Sequence, residues 1–324
     1  MKKILIAIII ALVAITAYQF NFGSFIKNIV IEYRAKTLKD CSISESNRTV
    51  KLGMSEEEVA SVFGTPSDTL PSEYGFTWNI YHKNFQNYIQ IGISDGKVVG
   101  MYTNSPQFAF EGLGVGSKKE DVNSLFGESL DGIVKGTTKY LSNGAKDGAN
   151  FEIYKISGAY VTFFYDTHAN NSLTSINIID YDVEQAFNVL YAQGTDALKK
   201  SFEVQNFYVT NAARVRYGLP PFNNNKELGE LALLHSCDMV QNKYFSHYSL
   251  NGDSVLERAK ERNIIFKKIG ENLAMGAQNS LYLHELLMNS KGHRANILGD
   301  FTDMGAGIAF DRNNTPYLTQ NFSK

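Results

Sequence analysis

Cysteine is nearly missing from this sequence. Cys41 and Cys237 are the only two among 324 residues, which excludes a disulfide framework and leaves no knuckle spacing for a metal. An excess of basic charge is missing too: 31 Lys and Arg stand against 33 Asp and Glu, for a net charge of −2. A nucleic-acid partner is thereby excluded, because counterion release needs a concentrated basic surface. No Gly-x-Ser-x-Gly elbow, phosphate-binding loop or dinucleotide fingerprint occurs. Neither cysteine has a histidine partner nearby in sequence. Tryptophan appears once, as Trp78, and reads as core packing rather than a ligand platform. What remains is 44% apolar and 20% charged, the composition of a folded globular chain. Its length suits about two domains, and its 18 tyrosines and 21 phenylalanines suit strand-rich cores.

A long apolar run opens the chain. Lys2 and Lys3 precede residues 4–20, which are apolar except for Thr16, Tyr18 and Gln19. About 17 residues is the lower limit for crossing the hydrocarbon core, so residues 1–22 are a short membrane anchor or a signal segment. No clean small-x-small cleavage site follows, and Tyr18-Gln19-Phe20 reads as an interfacial belt, which favours the uncleaved anchor. Lys2 and Lys3 argue for a cytoplasmic N-terminus, although Lys27, Arg34, Lys36 and Lys39 load the other flank. The body is expected outside the cytoplasm, membrane-bound or secreted. There Cys41 and Cys237 either pair or stay as free thiols.

The middle of the chain contains a duplication, assigned to residues 46–182. Val50-Lys51-Leu52-Gly53, Glu57-Glu58-Val59 and Val62-Phe63-Gly64 superpose without gaps on Leu113-Gly114-Val115-Gly116, Glu120-Asp121-Val122 and Leu125-Phe126-Gly127. Each copy starts a short acidic helix that Ser55 or Ser117 can cap, and Gly64 or Gly127 stops it. Alternating aromatic and β-branched runs follow, at residues 76–81, 88–93 and 98–102 and again at 151–156, 159–165 and 175–179. Asp95-Gly96 reads as a hairpin turn. A three-stranded meander is too small to stand alone, so the two copies are expected to pack as one α+β domain. Residues 183–196 form a linker, with a helix over 183–192 and Asp196 capping the helix that runs to Tyr217.

The last segment, 197–324, carries the most specific pattern. Leu198, Phe202, Val209 and Ala213 recur at helical spacing before Gly218-Leu219-Pro220-Pro221 ends the helix. A second helix over 226–243 puts Leu228, Leu231, His235 and Met239 on one stripe, where His235 reads as a core histidine. Then follow Tyr244-Phe245-Ser246-His247, Gly270-Glu271-Asn272-Leu273-Ala274, Gly292-His293-Arg294-Ala295-Asn296-Ile297-Leu298, and a glycine-rich strand around 305–310.

In that order these segments resemble the bacterial, cysteine-poor branch of the CAP superfamily, which groups cysteine-rich secretory, antigen 5 and pathogenesis-related proteins. The repeat domain resembles the module that precedes CAP domains in bacteria. The resemblance implies an α+β protein whose C-terminal part is an α-β-α sandwich around an antiparallel sheet. It also implies a cavity of two histidines and two glutamates. His247, Glu271 and His293 match three of these positions. The fourth is Ser290, three residues after Leu287, which stands where the family has tryptophan. Glu285 is out of register, so one carboxylate is missing. Arg294 and Asn296 are expected to fix the loop by backbone hydrogen bonds, with Asn272 as a further supporting residue.

Two imidazoles and a carboxylate from separate segments can hold a divalent ion such as Zn²⁺, with His247 and His293 as ligands and Glu271 as general base. Such binding requires neutral imidazole and weakens below about pH 6.5. Structural roles stand beside this: His247 closing a helix end, Glu271 capping a helix or pairing with Arg294, and His293 as a half-buried histidine. His284-Glu285-Leu286-Leu287-Met288 fails as a zincin motif, because Met288 occupies the second histidine position. The broken tetrad and the absent nucleophile favour a non-catalytic binding module for a cell-envelope or extracellular ligand. The alternative is a metal-dependent, peptidase-like hydrolase at the envelope.

Overall fold

The computed structural model describes residues 40–141 and 150–324. The leader at residues 1–22 lies outside them, and no helix among the described residues is long and apolar enough to cross a membrane. Both cysteines are free thiols.

The repeat domain opens with a hairpin of β1 (Ser42–Glu45) and β2 (Arg48–Lys51). Helix α1 (Glu56–Phe63) follows. Ser55 Oγ accepts from Glu58 N at 3.2 Å, while Glu58 Oε2 accepts from Ser55 N at 2.8 Å, a reciprocal cap. The meander β3 (Asp68–Pro71), β4 (Thr77–Lys83), β5 (Gln86–Ser94) and β6 (Lys97–Thr103) comes next, with Asp95 and Gly96 both at positive φ in the two-residue turn. Short strands β7 (Ala109–Phe110) and β8 (Leu113–Gly114) lead into α2 (Lys119–Phe126). Ser117 does not cap α2. Its Oγ accepts from Gly114 N, and Lys118 takes the cap position with its N–H on Asp121 Oδ2. A hairpin of β9 (Gly132–Lys135) and β10 (Thr138–Leu141) precedes the second meander, β11 (Asn150–Ile156), β12 (Ala159–Asp166) and β13 (Ser172–Asp180).

The two meanders share one sheet. Strand β13 pairs antiparallel with β6, from Ile176 opposite Thr103 to Ile179 opposite Gly100. The strand order is β11-β12-β13-β6-β5-β4-β3. Joining them covers one open edge of each copy, where unpaired N–H and C=O groups would otherwise face solvent.

The linker differs from its expected form. Helix α3 (Tyr181–Ala186) is capped by Asp180 and stops at Phe187, so residues 188–192 are not helical. Thr195, not Asp196, caps α4 (Asp196–Arg216): its Oγ1 accepts from Leu198 N at 3.1 Å.

After α4 come β14 (Asn223–Asn224), α5 (Lys226–Asn242), α6 (Val255–Glu261), β15 (Ile269–Met275), α7 (Ser280–Asn289), α8 (Lys291–Ile297), β16 (Asp303–Phe310) and β17 (Pro316–Ser323). The sheet runs β14-β16-β17-β15. On one face, Met304, Ile308 and Leu318 pack with Leu198, Leu283 and Ile297 of α4, α7 and α8. The other face meets α5 at Gly305 and Gly307, and Leu228 and Leu231 pack beneath α5 with Ala259 of α6. This is an α-β-α sandwich.

Helix α4 serves two cores. Leu198 and Phe202 enter the sandwich, while Val209 and Ala212 join Leu70, Trp78, Tyr88 and Tyr102 on the seven-stranded sheet. Its polar residues bridge as well: Gln205 Nε2 donates to Gln90 Oε1 at 2.7 Å and Ser201 Oγ to the Pro71 carbonyl at 2.6 Å. The repeat domain and the sandwich are therefore packed through one shared helix.

Candidate functional site

Three elements carry the expected residues. His247 sits in the loop after α5, which Lys243 ends in a left-handed conformation. The loop is tied back to its own helix, because buried His235 Nε2 donates to the Ser246 carbonyl at 2.9 Å. Glu271 lies on β15 and His293 in the first turn of α8. Asn296 Nδ2 donates to the Glu271 carbonyl at 3.1 Å and to Asn272 Oδ1 at 2.9 Å, and Asn272 Nδ2 donates to the His293 carbonyl at 3.1 Å. These two asparagines tie α8 to β15.

The structure brings the two imidazoles and the carboxylate together. His247 Nδ1 lies 3.0 Å from Glu271 Oε1, and the two histidine ring centres are 6.3 Å apart. Glu271 is 3% exposed at its side chain, and His247 is 49% exposed. Arg258 of α6, which sequence reasoning missed, completes the group: its Nη2 donates to Glu271 Oε2 at 2.5 Å. Its Nη1 holds the His247 and Asp253 carbonyls. Nothing local signals this partnership, since Arg258 lies 13 residues before Glu271 on another element.

This geometry assigns distinct work to each group. A carboxylate only accepts, so His247 Nδ1 carries a proton and donates it to Glu271. Both Glu271 oxygens are committed, one to His247 and one to Arg258. A buried, doubly bonded carboxylate orients an imidazole; it does not stand free to activate water as a general base. Burial pushes the His293 pKa down, and the neighbouring His247 adds to this, so His293 is held neutral.

Ser290 joins α7 to α8 and lines a cleft of about 240 Å³ with His293, between Phe245, Leu273, Met275 and Leu286. Glu285 does not reach this cleft. It faces the repeat domain, where its oxygens accept from Ser175 Oγ at 2.6 Å and Thr174 Oγ1 at 3.0 Å. Its neighbour His284 is buried, with its pKa pushed down to about 3 by desolvation. Arg294 does not pair with Glu271 either. It pairs with Asp166 of the repeat domain at 2.8 Å.

The donor set does not fit a divalent metal. With Glu271 committed, two imidazoles remain, and a catalytic zinc site uses three protein ligands. Among the described residues no three His, Cys, Asp or Glu side chains converge to hold an ion.

Comparison with known proteins agrees with this architecture. Residues 52–189 match the CAP-associated N-terminal family and residues 207–322 the cysteine-rich secretory protein family. Across 100% of its length the chain is 28% identical to YlbC, an uncharacterized membrane protein of Bacillus subtilis (strain 168), covering 99% of that protein. It is 36% identical over 108 residues to YkwD of the same organism, covering 33% of this chain and 42% of that protein. An extracellular protein containing an SCP domain, from Bacillus anthracis str. Ames, superposes with a TM-score of 0.72 at 26% identity, over 84% of this chain and 93% of that one. A cysteine-rich secretory protein of Staphylococcus aureus subsp. aureus Mu50 shares the fold, with a TM-score of 0.67 at 16% identity over 84% of this chain and 93% of that one.

Proposed function

Because the chain belongs to the CAP superfamily and carries its CAP-associated N-terminal domain, we propose that it is a non-catalytic extracytoplasmic binding module. Residues 1–22 hold it at the membrane, a reading supported by the apolar leader and by the description of YlbC as a membrane protein. The cleft beside His247, His293 and Ser290 takes one small group of a cell-envelope or extracellular ligand. The His293 imidazole and the Ser290 hydroxyl set its orientation, and apolar walls cover the rest.

The observation that carries this reading is the commitment of both Glu271 oxygens. With Glu271 held in an orienting role, the site lacks the third metal ligand and the carboxylate base that a metal-dependent hydrolase would use. A site that fixes an imidazole rigidly is well suited to recognition, because little ordering remains to be done when the ligand arrives.

The test is titration of the full chain with Zn²⁺ by calorimetry, alongside casein hydrolysis with and without the metal. The expected result is no saturable site in the micromolar range and no metal-dependent cleavage. A stoichiometric site lost in both His247→Ala and His293→Ala, with cleavage that follows occupancy, would establish the hydrolase instead.

A further inference from the structure

Behind the His247 loop lies a second, more open groove of about 470 Å³, walled by α5, the 249–253 loop and α6. Its floor contains His235, which is 1% exposed. Since the Ser246 carbonyl can only accept, the His235 proton is on Nε2 and Nδ1 is a bare acceptor. That Nδ1 has no hydrogen-bond partner. Burial also pushes the pKa of this ring down, which keeps it neutral.

Arg258 lines the same groove from the other side. Both of its Nη atoms are occupied, by Glu271 and by the His247 loop, but its buried Nε–H has no partner. One orphan acceptor and one orphan donor thus border a single groove, and buried polar groups are rarely left that way.

The rim narrows what could satisfy them. Asp238 and Asp253 contribute carboxylates that already accept from Asn242 Nδ2, Tyr244 OH and Asn251 Nδ2 and keep further lone pairs, and Leu234 and Leu250 are exposed apolar surface. The two guanidinium groups are already matched, Arg258 by Glu271 and Arg262 by Glu230. No free cation is left to hold an anion, and the carboxylates repel one. A hydroxyl both donates and accepts through one atom. Further hydroxyls donate to carboxylates, and the C–H face of a sugar ring covers leucine.

We propose that this groove is a subsite for a neutral saccharide, with hydroxyl groups donating to His235 Nδ1 and Asp238 and accepting from Arg258 Nε. It does not depend on the ligand of the His293 cleft, although Arg258 touches both sites.

The experiment titrates the full chain with tri-N-acetylchitotriose and with maltotriose to millimolar concentration. Calorimetry measures affinity, and the ¹⁵N signals of the His235 ring report contact. Saturable binding of at least one sugar is expected, with a shift at Nδ1. His235→Phe and Asp238→Asn should each weaken it by roughly tenfold, the worth of one well-made hydrogen bond, whereas His247→Ala should leave it unchanged. If His235→Phe does not fold, Asp238→Asn, at a half-buried position, decides alone. No saturation by either sugar, or saturation untouched by the folded variants, overturns the proposal. An unmoved Nδ1 signal does so too, because the orphan atom would then be held by trapped water.

Discussion

Arg294 and Asp166 form an ion pair at 2.8 Å across the boundary between the repeat domain and the sandwich. Tyr217 OH also donates to Asp166 Oδ2, at 3.0 Å. Arg294 immediately follows His293, so the repeat domain grips the very turn that carries a cleft histidine. The grip is wider than one pair. Asn289 Oδ1 accepts from Thr167 N at 2.8 Å, its Nδ2 donates to the Tyr165 carbonyl at 3.0 Å, and its own carbonyl meets His168 Nε2 at 3.0 Å.

Asp166→Ala should therefore disturb the site without touching it. Removing one partner of a buried ion pair costs about 3–5 kcal/mol, chiefly by leaving the other charge unpaired. Hydrogen exchange should show lost protection over residues 289–296, with β16 and β17 unaffected. Uniform loss across the sandwich, or none, would separate this contact from the turn it is argued to hold.

A titration at the same boundary should be visible in stability. Glu73 is buried, and desolvation pushes its pKa up to about 7 from an ordinary 4.5. Its oxygen accepts from Asn279 of the sandwich, and Glu184 stands nearby to oppose its charge. The folded state thus holds a proton that the unfolded chain gives up between about pH 4.5 and 7. Stability from this group is present below pH 4.5 and falls as pH rises to 7, by on the order of 3 kcal/mol. Glu73→Gln should flatten that part of the curve in denaturant titrations at pH 5 and pH 8. An unchanged slope would contradict the assignment.

The Nδ1 proton of His247 gives a direct check on the cleft. With Glu271 accepting at 3.0 Å, the ring is held with a proton on Nδ1. In ¹⁵N spectra the native chain should show a protonated Nδ1, and Glu271→Ala should release that nitrogen from its fixed hydrogen bond. Arg258 is left unpaired by the same change, so a clear loss of stability should accompany it.

What could be read without coordinates followed contact range. The Ser55–Glu58 cap and the Asp95-Gly96 turn are closed within four residues, and local chemistry specifies them. The order of segments around His247, Glu271 and His293 was readable because each segment keeps its own short pattern. Arg258 on Glu271 and Asp166 on Arg294 have no such pattern, as their partners lie 13 and 128 residues away. Ser117 misled for a related reason: its hydroxyl found Gly114 N first, one turn earlier than a cap requires. The 183–192 helix overran because no residue there announces the stop that packing imposes at Phe187.

The glycine-rich strand carries the last prediction. A Cβ on Gly305 would stand 2.0 Å from Gly229 N, and one on Gly307 2.0 Å from Leu233 N. Both neighbours are backbone of α5, so no side chain can swing aside; the helix itself would have to lift from the sheet. Gly307→Ala should therefore exceed the usual overpacking cost of about 1–3 kcal/mol. Lifting α5 also drags the His247 loop, through the His235–Ser246 bond. Gly292 is the internal control, since a Cβ there meets nothing within 4 Å. Gly292→Ala, inside α8, should be neutral or stabilising by up to about 1 kcal/mol. Chemical denaturation of the two variants gives the comparison. Equal stabilities would mean that α5 does not lie backbone-to-backbone on β16.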